Sequence, residues 1–186
     1  MKKLIILLFL WFVLFPLVAF PLDVVTYYFN AYDSGGEEWD TTPADMVDGN
    51  EATHANAFWE TGMVQLNNGN NCAGTDLGTI SKVEIRALRN GIASNQEIVY
   101  RPVFGGSSDG NDHAQATGIS KAWGAYIDIT SDTNSPETWT WTNVRDLDID
   151  VVANTGFIAA INCYEVEIRV TYTGGAAARR RIIMVE

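Results

Sequence analysis

The chain has 186 residues, 47% of them hydrophobic, which suits one domain with a core of its own and leaves no need for a second. Its formal net charge of -11 is unevenly placed: between Asp23 and Ala178 seven basic residues stand against twenty-two acidic ones, a balance of -15. Such a body repels phosphate backbones, so nucleic acid is excluded as a partner.

Lys2 and Lys3 precede an unbroken apolar run from Leu4 to Phe15, with Leu17-Val18-Ala19 as a cleavage site after Pro16. This reads as a secretory signal over residues 1–22. An uncleaved membrane anchor is the alternative, because the apolar span from Leu4 to Leu22 is close to the ~20 residues that cross a bilayer. Either way the protein is extracellular or at the cell surface, and the membrane is a partner only through this segment.

Six Trp, seven Tyr and eight Phe suit pleated sheets, and sixteen Gly supply the turns that short strands need. The first strand is expected over Asp23 to Tyr32; Val24-Val-Thr-Tyr-Tyr-Phe29 is apolar on both faces, which predicts a central or covered strand. Thr42-Pro43-Ala44-Asp45 reads as a helix start, with Thr42 as N-cap and Pro43 at the first helical position. Next, Asp48-Gly49-Asn50-Glu51-Ala52-Thr53 is either an Asp-Gly turn closed by an Asx hydrogen bond or a loop whose oxygens converge on a hard cation such as Ca²⁺.

Cys72 and Cys163 are the only cysteines, an even count that an oxidising compartment joins into one disulfide; two separate thiols are the alternative. Period-2 alternation marks further strands at Ile80 to Leu88, Glu97 to Phe104, Gly124 to Thr130 and Leu147 to Ala153. Gly105 to Ala114 reads as a long exposed loop, where Asp109, Asn111 and Asp112 offer a second cation site or a solvated tip. Trp139 and Trp141 fall on one side of an extended segment, placed to stack on a sugar ring or to close the core. The last strand is the strongest: Tyr164, Val166, Ile168, Val170 and Tyr172 alternate with Glu165, Glu167, Arg169 and Thr171. These segments predict an all-β antiparallel sandwich, a jelly roll of about eight strands over residues 23–173.

The order of helical turn, Asp48-Gly-Asn-x-x-Thr53 loop, Leu77 to Ile85 and final Tyr164 to Val170 strand resembles discoidin-type, galactose-binding-like jelly rolls. The resemblance implies a structural calcium held by the Asp48 side chain, the Asn50 carbonyl, the Thr53 hydroxyl and Glu165, and carbohydrate as a partner. His54-Ala55 departs from the aromatic that usually follows the Thr. The C-terminal third, from the Trp-rich segment through Leu147-Asp-Ile-Asp-Val151 to the last strand, is also similar in pattern to β-sandwich structural proteins of phage particles and extracellular filaments.

Residues 174–186 form a tail in which Arg179, Arg180 and Arg181 precede the apolar Ile182, Ile183, Met184 and Val185. It is either a solvated extension or a contact with a neighbouring copy, by strand addition or by charge. His54 and His113 have no nucleophile setting nearby, and no phosphate loop or multi-His spacing occurs. The sequence thus reads as a non-enzymatic structural subunit of a filament, coat or particle, with a carbohydrate-binding or adhesion module as the alternative.

Overall fold

The computed structural model describes residues 21–35, 39–58, 61–93, 96–154 and 160–174. Among these residues eleven strands are formed: β1 (Leu22–Tyr28), β2 (Ala55–Phe58), β3 (Thr61–Asn67), β4 (Gly78–Gly91), β5 (Glu97–Phe104), β6 (Ser108–Asp109), β7 (His113–Ala116), β8 (Ala122–Trp123), β9 (Ile127–Asp128), β10 (Asp148–Asn154) and β11 (Ala160–Gly174). A single 3-10 turn covers Pro43–Met46, and one short helix, α1, covers Trp141–Arg145.

All pairings are antiparallel and make two sheets. The first runs β1-β11-β4-β8, with β2 beside β11 and β9 beside β4; the second runs β3-β10-β5-β6, with β7 beside β5. β1 and β2 lie end to end along one edge of β11, opposite Leu22-paired Thr173 through Glu167 and opposite Cys163 through Ala160. β8 and β9 do the same along β4, and β6 and β7 along β5. Each such pair occupies one strand position, so eight positions are filled, and their alternation between the two sheets is a jelly roll. The expected all-β sandwich is therefore the observed fold.

Alternating side chains of both sheets meet in one core. Val83, Ile85 and Ala87 of β4 and Val166, Ile168 and Val170 of β11 face Ile98 and Tyr100 of β5 and Ile149, Val151 and Ala153 of β10. β11 is central, paired along nearly its whole length with β4. Its alternation breaks once, at a bulge between Cys163 and Glu165. Ile161 and Cys163 point inward before it and Val166 after it, while Tyr164, expected on the core face, lies half-buried with its hydroxyl donating to Asn90 Oδ1 at 2.9 Å.

The other face of this sheet is polar yet buried. Glu84 and Glu167 are 3% and 2% exposed because Arg169 and Lys82 close on Glu84, and Arg86 and the Tyr126 hydroxyl close on Glu167. Arg86 also sits over the rings of Trp123 and Tyr126, at 4.4 and 4.1 Å from their centroids.

Three local expectations are corrected. Among the described residues β1 is an edge strand, neither central nor covered: it pairs with β11 alone, and Leu22 and Val24 are 62% and 59% exposed. Val25 and Tyr27 pack on the core, so the outward residues Leu22 and Val24 are apolar without being buried. Around Trp141 the chain is helical where an extended segment was expected, because Thr140 and Asn143 form a reciprocal capping box that starts α1. Thr42 does not cap its turn; it adopts a left-handed backbone (φ 48°) and its hydroxyl donates to the His54 carbonyl at 3.0 Å.

Candidate functional site

Where β1 stops at Tyr28 and β2 has not yet begun, the edge of β11 opposite Glu165 is left to a loop. Residues Val47 to Glu51 fill the gap and leave a cleft of about 360 Å³, lined by Tyr28, Asn30, Asp48, Glu51, Asn71 and Glu165 among others. The bulge in β11 is what turns Glu165 toward it. Gly49 makes the loop possible, because its φ of 71° is a backbone state that side chains disfavour.

The cleft concentrates negative charge. Asp48, Glu51 and Glu165 all line it, and none forms an ion pair with a described basic side chain. Burial, followed by the charges of Glu51, Glu167 and Asp48, pushes the Glu165 carboxyl up to about 7. The Tyr28 hydroxyl is also pushed up, by burial and then by Glu167, Glu165 and Glu51. Lys121 lies over the Tyr164 ring at 4.3 Å and donates to the backbone carbonyl of Glu51, not to a carboxylate.

Of the four expected calcium ligands, the structure brings two to the cleft. Asp48 and Glu165 line it together, as the discoidin-type resemblance implies. Asn50 and Thr53 are engaged in the turn: Asp48 accepts from the Asn50 amide at 2.8 Å and the Thr53 hydroxyl at 2.7 Å, and the Asn50 carbonyl accepts from the Thr53 amide and hydroxyl. This is the closed Asx turn. Among the described residues no three Asp, Glu, His or Cys side chains converge as a metal cluster. Glu51, which sequence reasoning passed over, is the third carboxylate of the cleft.

Cys72 and Cys163 are both buried free thiols, so the expected bridge is not formed. Cys72 belongs to the cluster around Tyr27 and Trp141, whereas Cys163 faces Ala55 and Arg89. Tyr27 stands opposite Ile168, and from there to Cys163 is five residues of β11, roughly 16 Å, too far for a disulfide. Burial pushes the Cys163 thiol up to about 12, leaving it protonated and inert.

Trp139 and Trp141 are core residues, 7% and 4% exposed. Their ring nitrogens donate to the carbonyls of Thr130 and Gly78, and their rings pack edge-on against Phe104 and against Tyr27 and Tyr172. Both also border a shallow cleft of about 340 Å³ with Asp76, Thr79, Thr138 and Thr142. The 105–114 segment is a hairpin on β5 rather than an open loop, with Asp112 bound by Arg101 at 2.6 Å and the Asp109 carbonyl accepting from Asn134. The leader, residues 1–20, and Arg179 to Val185 lie outside the described residues.

No protein-family model matches this sequence, and neither curated proteins nor solved structures show significant similarity to it. The jelly-roll fold and the acidic cleft beside an open sheet edge are therefore what carries a functional reading.

Proposed function

We propose that the protein is a non-enzymatic extracellular structural protein, a subunit of a surface filament, coat or particle that assembles through its C-terminal tail. The observation that carries this reading is the edge of β1. Among the described residues no strand pairs with its outer side from Leu22 to Thr26, Asn71 bonding only at Tyr28, and Leu22 and Val24 are exposed. An open edge with apolar side chains is a template for pairing with another chain, and lone soluble domains cover or charge such edges. The apolar, β-compatible Ile182 to Val185 supplies a segment of matching character. The two histidines have their own contacts: the His54 ring packs tilted against Tyr164, and His113 pairs with Asp132 at 2.7 Å. Negative-stain imaging and light scattering of the full chain test the reading: ordered polymers or particles are expected, and a monomer at all concentrations would overturn it.

The second reading, a galactose-binding-like carbohydrate or adhesion module with a structural calcium, rests on Asp48 and Glu165 sharing one cleft. It requires the Asx turn to open so that Asn50 and Thr53 turn their oxygens to the ion. Calcium titration followed by Tb³⁺ luminescence decides it, with Glu165→Gln as control; binding that Glu165→Gln abolishes, together with a glycan-array signal, favours this module over the subunit.

A further inference from the structure

Three glutamates of the β11-β4 sheet are buried, and two of them have cations of their own. Arg169 and Lys82 close on Glu84, and Arg86 closes on Glu167. Both guanidiniums also lie over the Tyr126 ring, Arg169 at 3.4 Å and Arg86 at 4.1 Å from its centroid. The unit repeated on this face is a carboxylate, a guanidinium and a tyrosine. Glu165 has the first and the last of these without the second. It is 4% exposed and shares the cleft with Tyr28, yet no described basic side chain pairs with it and no described donor hydrogen-bonds to its carboxylate. A carboxylate taken out of water requires a cation or donors in return.

The shape of the cleft selects among cations. A compact ion such as Ca²⁺ needs several oxygens at about 2.3–2.6 Å from one point. Asp48, Glu51 and Glu165 do not converge in this way, and both Asp48 oxygens are held by their own turn, from the Asn50 amide and the Thr53 hydroxyl. The buried Glu165 and the exposed Asp48 and Glu51 are instead spread around about 360 Å³, which suits a cation whose donors are themselves spread. Asn71 closes one side, its amide and side chain bonding the carbonyl and amide of Tyr28 at 3.0 and 2.8 Å. A strand is therefore excluded there, and the space that remains is that of one side chain. Phe29 and Val47 add apolar lining, which suits an alkyl stem. We infer that this cleft binds a guanidinium group on a short alkyl stem, with Glu165 as its main acceptor, Asp48 and Glu51 balancing charge at the rim and Tyr28 alongside. The site is independent of assembly, since neither the C-terminal tail nor the free edge of β1 takes part in it.

The test is calorimetric titration of the full chain with n-propylguanidinium chloride at fixed ionic strength and about pH 8, where Glu165 is ionised. n-Propylammonium, the neutral n-propylurea and calcium chloride are the comparisons. Saturable binding of the guanidinium is expected, at least tenfold tighter than that of the ammonium, with none for the urea. Glu165→Gln should weaken it at least tenfold and Glu51→Gln severalfold, while Val24→Lys, at the far end of β1, leaves it unchanged. Binding that is not saturable, ammonium bound as tightly, or full affinity in Glu165→Gln overturns the inference. Calcium bound through Glu165 with no binding of the guanidinium overturns it in favour of a metal site. Thermal unfolding shows whether each variant is folded; if Glu165→Gln is not, unchanged affinity in the exposed Glu51→Gln is enough to overturn the site. A peptide with one arginine, capped at both ends and bound at least tenfold tighter than propylguanidinium, identifies the source as a protein side chain. Propylguanidinium bound as tightly as the peptide or tighter identifies a free small cation, and either order supports the site.

Discussion

β1 and β11 lie side by side in one sheet and share seven paired positions, yet they solve opposite problems. β11 has neighbours on both edges, its inward Val166, Ile168 and Val170 are fully buried, and even its outward glutamate Glu167 is sealed by Arg86 and Tyr126. Among the described strands β1 has one neighbour, and its outward side chains at Leu22 and Val24 are apolar and in solvent. Hydrophobicity alone therefore does not place a strand in a sheet. The alternating strand is the centre because each face has a matching environment, and the one with apolar residues on both faces sits at the rim, where its outer face lacks a partner within the described chain.

The sharpest way to break this contrast is in β11. Ile168→Ala should cost about 4 kcal/mol, since a fully buried aliphatic side chain leaves a cavity in a core shared by both sheets. Urea denaturation measures it, and a cost under about 1 kcal/mol would mean that β11 is not the centre. Arg86→Ala leaves the buried Glu167 with the Tyr126 hydroxyl alone and should cost about 2 kcal/mol, less than a fully buried pair because Arg86 is partly in solvent. Restoring stability by adding Glu167→Gln would confirm that the cost lies in the unpaired charge.

The cleft gives a smaller, pH-dependent effect. Glu165 titrates at about 7 in the folded protein against the ordinary ~4.3 of an unfolded glutamate, so between these values the folded state holds the extra proton. Stability should then fall as pH rises through this window, by on the order of 1 kcal/mol once solvent access to the cleft is allowed for. Thermal unfolding from pH 4.5 to 8 checks the sign, and Glu165→Gln should flatten that part of the curve. The smallest expected change is Val24→Lys, within about 0.5 kcal/mol in the isolated chain because the position is exposed, while its effect on assembly is large.

The fold was largely legible in the sequence because period-2 alternation is a direct consequence of pleating, and β4, β5, β10 and β11 all carry it. β2 and β7 carry no such signal: Ala55–Phe58 and His113–Ala116 are short and hold small or polar residues whose burial depends on neighbours. The bulge at Cys163 has no local signature, yet it moves Tyr164 off the core and Glu165 into the cleft. For the site, the Asp-Gly turn announced Asp48, but Glu51 and the burial of Glu165 follow from the gap between β1 and β2, a feature of topology alone. The tryptophans illustrate the same limit, since spacing places them on one side of the chain without saying that the side is inward.

Amide hydrogen exchange as a function of protein concentration tests the central claim most directly, because it reads β1 and β11 in the same sample. The account predicts fast exchange at the outward amides of Leu22, Val24 and Thr26 in dilute protein and protection as assemblies form, with the amides of Val166, Ile168 and Val170 protected throughout. Protection of the β1 edge that is the same at every concentration, or an edge that stays fast in the assembled protein, would contradict it.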